Sequence, residues 1–316
     1  MNHFLRGLLI LVWVVARVSA ADTVEIKQRW VAGKEYVVSM QSSQQSTIDL
    51  GFQKLEQTMT MTMDMSVAVR AHEDGKRKRL TMKYDRMAME VTANGQKLGY
   101  DSAKPNEGTD PLELGKALGP VIGNELKLLT NDKDEITEVE NYDEYVKEFG
   151  ALGAPAGMDL GKMFSRDGLR DAMKQGALQA YPSGPVSAGD TWPFSNTIAM
   201  AGAGSVTVKG TYTFKGMVEH GGARCAEIQT DATIVMELAV GGGDAAAAGL
   251  AALNMKLTQG TLKGPVWFDP QLGMTRDSDV VQEMTMSMKN PGDGSELVVP
   301  MKQSIRTTLT KVADLK

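Results

Sequence analysis

The sequence predicts a mainly β protein of the α+β class, with long curved antiparallel sheets and a few helices inserted at about residues 110–182. Period-two alternation of apolar and polar residues dominates the chain, whereas the spacing typical of helices is confined to its middle. A weak internal similarity also indicates two related β units, with chance similarity among alternating strands as the alternative.

The longest alternating stretch is TMTMTMDMSVAV, residues 58–69. Its odd positions carry methionine or valine, and its even positions carry threonine, aspartate, serine and alanine. Such a pattern predicts a half-buried strand about 40 Å long, at about 3.3 Å per residue. Further strands are predicted in VTVKGTYTFKGM, AEIQTDATIVMEL and DVVQEMTMSM, and the turn residues NPGDGSE predict a hairpin into SIRTTLTKV.

Helix signals are few. Asp110 as N-cap, Pro111 at the first helical position and Glu113 at the third predict a helix through PLELGKALG. A second helix is predicted in NYDEYVKEF, and a third follows Ser165 through RDGLRDAMKQGALQAY. Between the first two, ELKLLT and ITEVE flank the polar run NDKDE, which predicts a hairpin.

Residues 1–20 have the features of a secretory signal peptide. Arg6 precedes an apolar run of about ten residues, and VSA precedes Ala21, which predicts cleavage near Ala20. We therefore expect a protein of the periplasm or the exterior. Loss of Arg6 and Arg17 changes the formal net charge from −5 to −7.

The mature chain divides into two predicted units. An N-terminal β unit with the inserted helices spans 21–182, and a C-terminal β unit spans 183–316 with a Gly/Ala-rich insert at 241–254. The motifs AGKEY and AGDTW, and then VRAHEDGKR and MVEHGGAR, occur in the same order in both units. A duplication predicts that Gly33 and Gly189 occupy equivalent positions, and that His72 and His220 lie at equivalent hairpin turns.

Several classes of function have little support in the sequence. An acidic chain without a basic stripe is a poor partner for nucleic acid, and no later apolar stretch reaches 18 residues, so we expect no transmembrane segment. The single Cys225 excludes an intrachain disulfide and is expected to be a small buried hydrophobe. His72 and His220 are expected to be solvated turn residues, so neither a metal site nor a cofactor is predicted. Without a nucleophile motif, the chain is predicted not to be an enzyme.

The methionines are the remaining candidates for function. We expect Met59, Met61, Met63 and Met65 to face the concave, water-poor side of a curved sheet, with Thr58, Thr60, Thr62 and Asp64 on the other side. A second ladder, Met284, Met286 and Met288, is expected to share that layer. Methionine adapts to partners of variable shape, which favours binding of a lipid or of a lipoprotein acyl chain. A structural or interaction protein without a ligand is the alternative, and a methionine-rich copper-binding protein is a second one.

The chain also resembles an uncharacterised family of exported bacterial proteins, known as a domain of unknown function. The motifs that carry the resemblance are TMTMTMDMSVAV, GYDS, PLELGKALGPVIG, PSGPVSAGDTW and VWFDPQLGM. They cover nearly the whole mature chain, and the resemblance assigns no catalytic or binding residue. In architecture the chain is more distantly similar to the half-barrel carriers of lipids and lipoproteins in bacterial envelopes.

Overall fold

A computed structural model describes residues 23–49, 54–93, 95–105, 110, 115, 118–150, 166, 178, 180–200, 204–238, 256–289 and 294–315. Several predicted features lie outside the described residues, wholly or for the most part. These are the signal peptide at 1–20, the helices predicted through 111–119 and 166–181, and the insert at 241–254.

The described residues form twelve strands and one α-helix. The strands are β1 (Lys34–Asp49), β2 (Lys54–Ala71), β3 (Lys78–Ala93), β4 (Gln96–Asp101), β5 (Glu125–Thr130), β6 (Ile136–Val139), β7 (Thr191–Met200), β8 (Gly204–His220), β9 (Ala223–Leu238), β10 (Lys256–Asp269), β11 (Met274–Lys289) and β12 (Glu296–Asp314). The helix α1 spans Tyr142–Gly150, and a 3-10 helix spans Gly119–Val121. The helix predicted at NYDEYVKEF and the hairpin predicted around NDKDE, which is β5–β6, are therefore confirmed.

All twelve strands belong to one antiparallel sheet. Its order is β6-β5-β3-β2-β1-β12-β11-β10-β9-β8-β7, and β4 pairs with β3. The sheet is curved and does not close into a barrel, which confirms the predicted fold class with one continuous sheet in place of several. The first and last strands are neighbours at its centre, with Tyr36 of β1 opposite Val312 of β12.

Two hydrophobic clusters lie on the same face of the sheet, which we call the inner face. One packs around Tyr36, Val69 and Leu80, and the other packs around Phe214 and Phe268. The segment 23–33, which precedes β1, joins them, because its Ile26 is buried in the second cluster and its Trp30 in the first. Backbone hydrogen bonds between Val24 and Val186, both 2.9 Å, hold the start of this segment.

The strand starts that the duplication relates have similar local geometry. Gly33 before β1 has a φ of 83°, and Gly189 before β7 has a φ of 97°, a region that side chains disfavour. The Gly33 N–H donates to the Val69 carbonyl of β2 at 2.8 Å, and the Gly189 N–H donates to the Phe214 carbonyl of β8 at 2.7 Å. His72 follows β2 and His220 ends β8, each at the hairpin into the next strand. The duplication itself stays a prediction, which superposing β1–β3 on β7–β9 tests.

Candidate functional site

The methionine ladder of β2 lies on the inner face of the sheet. Directly paired residues of antiparallel strands point to the same side, and Val67 pairs with Tyr36, whose ring is fully buried in the first cluster. Alternation then places Met65, Met63, Met61 and Met59 on that face in turn.

The opposite positions of β2 lie on the outer face, as predicted. Thr60 and Thr62 line a shallow polar depression there, together with Arg86 of β3. Asp64 accepts a hydrogen bond of 2.7 Å from the Ser39 hydroxyl and lies 4.0 Å from the Arg86 guanidinium. These contacts compensate the carboxylate for its partial loss of water.

The inner face holds a cavity of about 390 Å³, which we call the methionine cavity. Five methionines, four aromatic residues and five aliphatic residues supply most of its wall, and Gln28, Thr275 and Thr307 supply the other polar groups. Its full lining is Gln28, Trp30, Tyr36, Val38, Met40, Met63, Met65, Val67, Leu80, Met82, Tyr84, Leu128, Ile136, Tyr181, Met274, Thr275 and Thr307. The volume is within the range of small-molecule sites, about 300–1,000 Å³.

The structure brings only part of the predicted methionine set to this cavity. Met63 and Met65 line it, whereas Met59 and Met61 lie farther along β2 and are not among its lining residues. Three further methionines, Met40, Met82 and Met274, line the wall although they were not predicted to be site residues. The first two stand in period-two alternation, in YVVSM and LTMKY, and this signal places them on the same face.

Methionines of neighbouring strands meet in rows across the sheet. Met63 stands opposite Met40 of β1 and opposite Met87 of β3, and Met61 stands opposite Met89. The Cβ atoms of such pairs are about 4.5–5.5 Å apart, closer than the roughly 7 Å between alternate residues of one strand. The thioethers therefore form a layer that extends across β1, β2 and β3. The sequence of one strand alone does not show this layer.

The second ladder lies on the same face but away from the cavity. Met284, Met286 and Met288 of β11 stand opposite Met301, Val299 and Leu297 of β12. None of the three lines the methionine cavity, so the single binding layer expected from both ladders divides into two regions. The glutamine two residues before this ladder, Gln282, donates its amide N–H to the Met284 Sδ at 3.1 Å.

The cavity wall has polar groups on three tyrosines, two threonines, Trp30 and Gln28. Tyr181 Oη donates to Gln28 Oε1 at 3.1 Å, and the Tyr36 hydroxyl accepts the Val31 N–H at 3.3 Å. Burial raises the pKa of the Tyr84 and Tyr181 hydroxyls, which therefore stay protonated at neutral pH. The described wall of the cavity thus carries no ionised side chain and suits an apolar molecule.

His72 and His220 differ from each other in environment. His72 lies in a turn, where its Nδ1 is 3.3 Å from Asp74 Oδ2, and no contact with the cavity involves it. Solvation was predicted for both histidines, but the side chain of His72 is only 17% exposed. His220, with a side chain that is 26% exposed, is not the solvated turn residue that was predicted either. Its ring stacks on Trp267 with centroids 4.0 Å apart, and its Nε2 lies 3.1 Å from Asp277 Oδ2. The strand pairing that aligns β10 and β11 produces this contact, so the local sequence did not indicate it.

Cys225 is completely buried, as expected, and burial raises the pKa of its thiol. Among the described residues, no group of three or more His, Cys, Asp or Glu side chains is placed to hold a metal ion. Within the same part of the chain, no helix combines the length and the apolarity that crossing a bilayer requires.

Comparison with known proteins shows the family to which the chain belongs. The sequence matches the family of unknown function DUF6263 over residues 75–275. The chain belongs to this family. The DUF6263 match includes cavity residues such as Leu80, Tyr84 and Tyr181, whereas both methionine ladders lie outside the matched range. No curated protein matches the sequence.

Solved structures with some likeness to this DUF6263 chain include lipovitellin, in a study of its lipid–protein interactions. That structure has 11% identity and a TM-score of 0.45, and the match covers 91% of this chain and 26% of lipovitellin. The chain thus spans about a quarter of lipovitellin's length. A DUF1329 family protein from Desulfovibrio piger has 8% identity, coverage of 90% and 86%, and a TM-score of 0.19. DynF from the dynemicin biosynthesis pathway of Micromonospora chersina has 7% identity, coverage of 98% and 94%, and a TM-score of 0.22.

Proposed function

We propose that the protein binds a hydrophobic ligand, a lipid or the acyl chain of a lipoprotein, in the methionine cavity. The observation that carries this proposal is a cavity of about 390 Å³ whose described lining has no ionised group. An apolar chain that enters such a cavity leaves water and gains contacts along its length.

The cavity suits a single chain of moderate length. A water molecule occupies roughly 30 Å³, and a methylene group is of similar size. The cavity therefore has room for about a dozen methylene groups. Each methylene that leaves water contributes about 0.8 kcal/mol. The five unbranched thioethers of the wall adjust their rotamers to chains of different shape, which β-branched residues do less readily.

We further propose that the protein acts in the cell envelope and binds its ligand without a chemical step. The predicted signal peptide supports the location, and the expected mature N-terminus near Ala21 is tested by mass spectrometry of the exported protein. The described cavity wall has no carboxylate, histidine, cysteine or lysine side chain, and burial raises the pKa of its three tyrosines, which keeps them protonated and makes them poor bases. This supports binding over catalysis, because general acid–base chemistry depends on such groups.

Substitutions at Met63 test the binding site. Met63→Asp places a charge in the apolar wall, and Met63→Trp fills the space without a charge. In both variants we expect co-purifying lipid, detected by native mass spectrometry and organic extraction, to be lost. The affinity for an acyl chain is expected to fall by about tenfold or more, since about 1.4 kcal/mol accounts for each factor of ten.

Met61→Asp is the matched control, because Met61 lies on the same strand and face but does not line the cavity. We expect it to retain lipid at the wild-type level. Circular dichroism and thermal unfolding of each variant show whether it is folded, so that loss of lipid caused by unfolding is recognised. Equal loss from Met61→Asp and Met63→Trp, with both folded, would contradict the assignment of the cavity. A wild-type protein without lipid would favour the structural alternative.

Copper binding is a second candidate function, and the row Met40–Met63–Met87 is the observation that favours it. Three thioethers from adjacent strands approach one another there more closely than neighbours on one strand do. Thioether sulfur is a soft ligand that selects Cu(I). Met63→Leu separates the two functions, because it keeps the apolar volume and removes the sulfur. Lipid retained by this variant supports the cavity, and stoichiometric copper lost from it supports the metal site.

A further inference from the structure

A second cavity, of about 530 Å³, lies beside the methionine cavity, and we call it the mouth. Its floor is apolar, with Ile26, Ile136 and Leu178 almost fully buried. Its rim is polar and exposed, with charged residues from the segment 23–33 and from the turn between β5 and β6. The mouth therefore presents an apolar floor beneath a charged, solvent-exposed rim.

The two cavities share part of their walls. Gln28, Trp30, Ile136 and Tyr181 line both of them. A hydrogen bond of 3.1 Å from Tyr181 Oη to Gln28 Oε1 joins two of these shared residues. A molecule with its apolar part in the methionine cavity is thus expected to extend its other end past Gln28 and Tyr181 into the mouth.

The charges at the mouth are balanced. Two lysines, Lys27 and Lys133, and two glutamates, Glu25 and Glu135, are among its lining residues, and all four are exposed. The fifth charged residue of the rim is Asp134, which Lys78 neutralises through an ion pair of 2.5 Å. Glu135 accepts a hydrogen bond of 2.7 Å from the Asn131 side-chain amide. A rim with two cations and two anions complements a head group that carries both signs.

We propose that the ligand is a single-chain zwitterionic lipid, with its acyl chain in the methionine cavity and its phosphate and ammonium groups at the mouth. This inference rests on the proposed function, and it adds the class and the orientation of the ligand. The phosphate lies near Lys27 and Lys133, and the ammonium group lies near Glu25 and Glu135. A single acyl chain of about a dozen carbons fits the volume of the methionine cavity, about 390 Å³.

Four ligands with the same dodecyl chain test the head group. Dodecylphosphocholine is zwitterionic, dodecanoate is anionic, dodecyltrimethylammonium is cationic and dodecanol is uncharged. Isothermal titration calorimetry with the full mature chain, below the concentration at which each ligand forms micelles, gives the affinities. We expect dodecylphosphocholine to bind tightest, by about three- to tenfold over the others, because exposed ion pairs contribute little each.

Two charge-reversed variants provide the matched comparison. In Lys27→Glu/Lys133→Glu the rim becomes anionic, and we expect the dodecyltrimethylammonium affinity to rise while the dodecanoate affinity falls. In Glu25→Lys/Glu135→Lys we expect the reverse. All four substitutions are at exposed positions, so the fold is expected to be retained.

The outcomes separate the two proposals. Equal affinities for all four ligands, unchanged in both variants, would overturn the zwitterionic head group and leave the hydrophobic site in place. Tighter binding of dodecanoate or dodecyltrimethylammonium than of dodecylphosphocholine by the wild type would also overturn it. If no dodecyl ligand binds, the proposed function fails, and the inference fails with it.

Discussion

Asp277 on β11 shows how a single buried carboxylate is held on the outer face of the sheet. Its side chain is 7% exposed, and it accepts hydrogen bonds from His220 at 3.1 Å, Arg306 at 3.2 Å and Thr308 at 2.9 Å. Burial alone raises the pKa of a carboxyl, but these three partners outweigh burial and hold the pKa of Asp277 below its usual value. The ionised form therefore stabilises the fold.

The pH dependence of stability tests this network. Because the folded-state pKa is depressed, the stabilisation from Asp277 is complete above the unfolded-state pKa of about 4 and is lost as the pH falls through the folded-state pKa. Asp277→Asn is expected to lower the free energy of unfolding by about 1–3 kcal/mol at neutral pH, with a smaller difference from the wild type in acid.

Urea unfolding at several pH values between neutrality and acid measures both effects. Asp279→Asn is the control, since Asp279 is an exposed carboxylate two residues along the same strand. We expect it to change stability by less than about 0.5 kcal/mol. A difference between Asp277→Asn and the wild type that stays constant into acid would show that the charge of Asp277 does not stabilise the fold.

The long strands contain glycines at which the backbones of neighbouring strands approach each other closely. Gly210 of β8 stands opposite Phe194 of β7 and Ala232 of β9, beside the stacked rings of Phe194 and Tyr212, whose centroids are 4.3 Å apart. A Cβ atom at Gly210 would lie 2.2 Å from the carbonyl oxygen of Asp231. Only a residue without a side chain permits this approach of β8 to β9.

Gly210→Ala is therefore expected to destabilise the protein by about 1–3 kcal/mol, since the added methyl group forces neighbouring backbone to move. Gly184→Ala serves as the control, because no heavy atom lies within 4 Å of a Cβ built there. Thermal unfolding of both variants against the wild type provides the comparison. Equal melting temperatures for Gly210→Ala and the wild type would disprove the steric argument.

The pairing of the first strand with the last strand connects the two halves of the sheet. β12 lies between β1 and β11 at the centre of the sheet, and 13 residue pairs connect β1 with β12. The segment 23–33 adds a second connection, because Ile26 packs in the cluster of β7–β10. The units predicted at 21–182 and 183–316 therefore share one sheet and part of one core.

We expect neither half to be stable when it is expressed alone. The 21–182 fragment would leave the edge of β1 unpaired, and the 183–316 fragment would leave the edge of β12 unpaired. Circular dichroism melts are expected to show no cooperative transition for either fragment, and mixing the two is expected to restore one. A cooperative transition for a single fragment would indicate an independent domain.

Local patterns predict much of the fold because a strand and its faces are encoded by neighbouring residues. The alternation in TMTMTMDMSVAV identified β2, its long extent and the separation of Met63 from Asp64 onto opposite faces. The α1 helix and the β5–β6 hairpin were likewise predicted from caps, turn residues and periodicity. Each of these features depends on residues within about one strand length of each other.

The position of the cavity depended on the tertiary structure, because it is set by contacts between residues far apart in the chain. The ladders Met59–Met65 and Met284–Met288 have similar patterns, yet only Met63 and Met65 line the cavity. This difference between the two ladders depends on the pairing of β1 with β12 and on the packing of Tyr181 beside Gln28. Side chains that share a face of a strand can be recognised from the sequence, since period two is a local property of the backbone. Which part of that face encloses a cavity was decided by strand register and by the path of 23–33, and neither leaves a periodic signal in the chain.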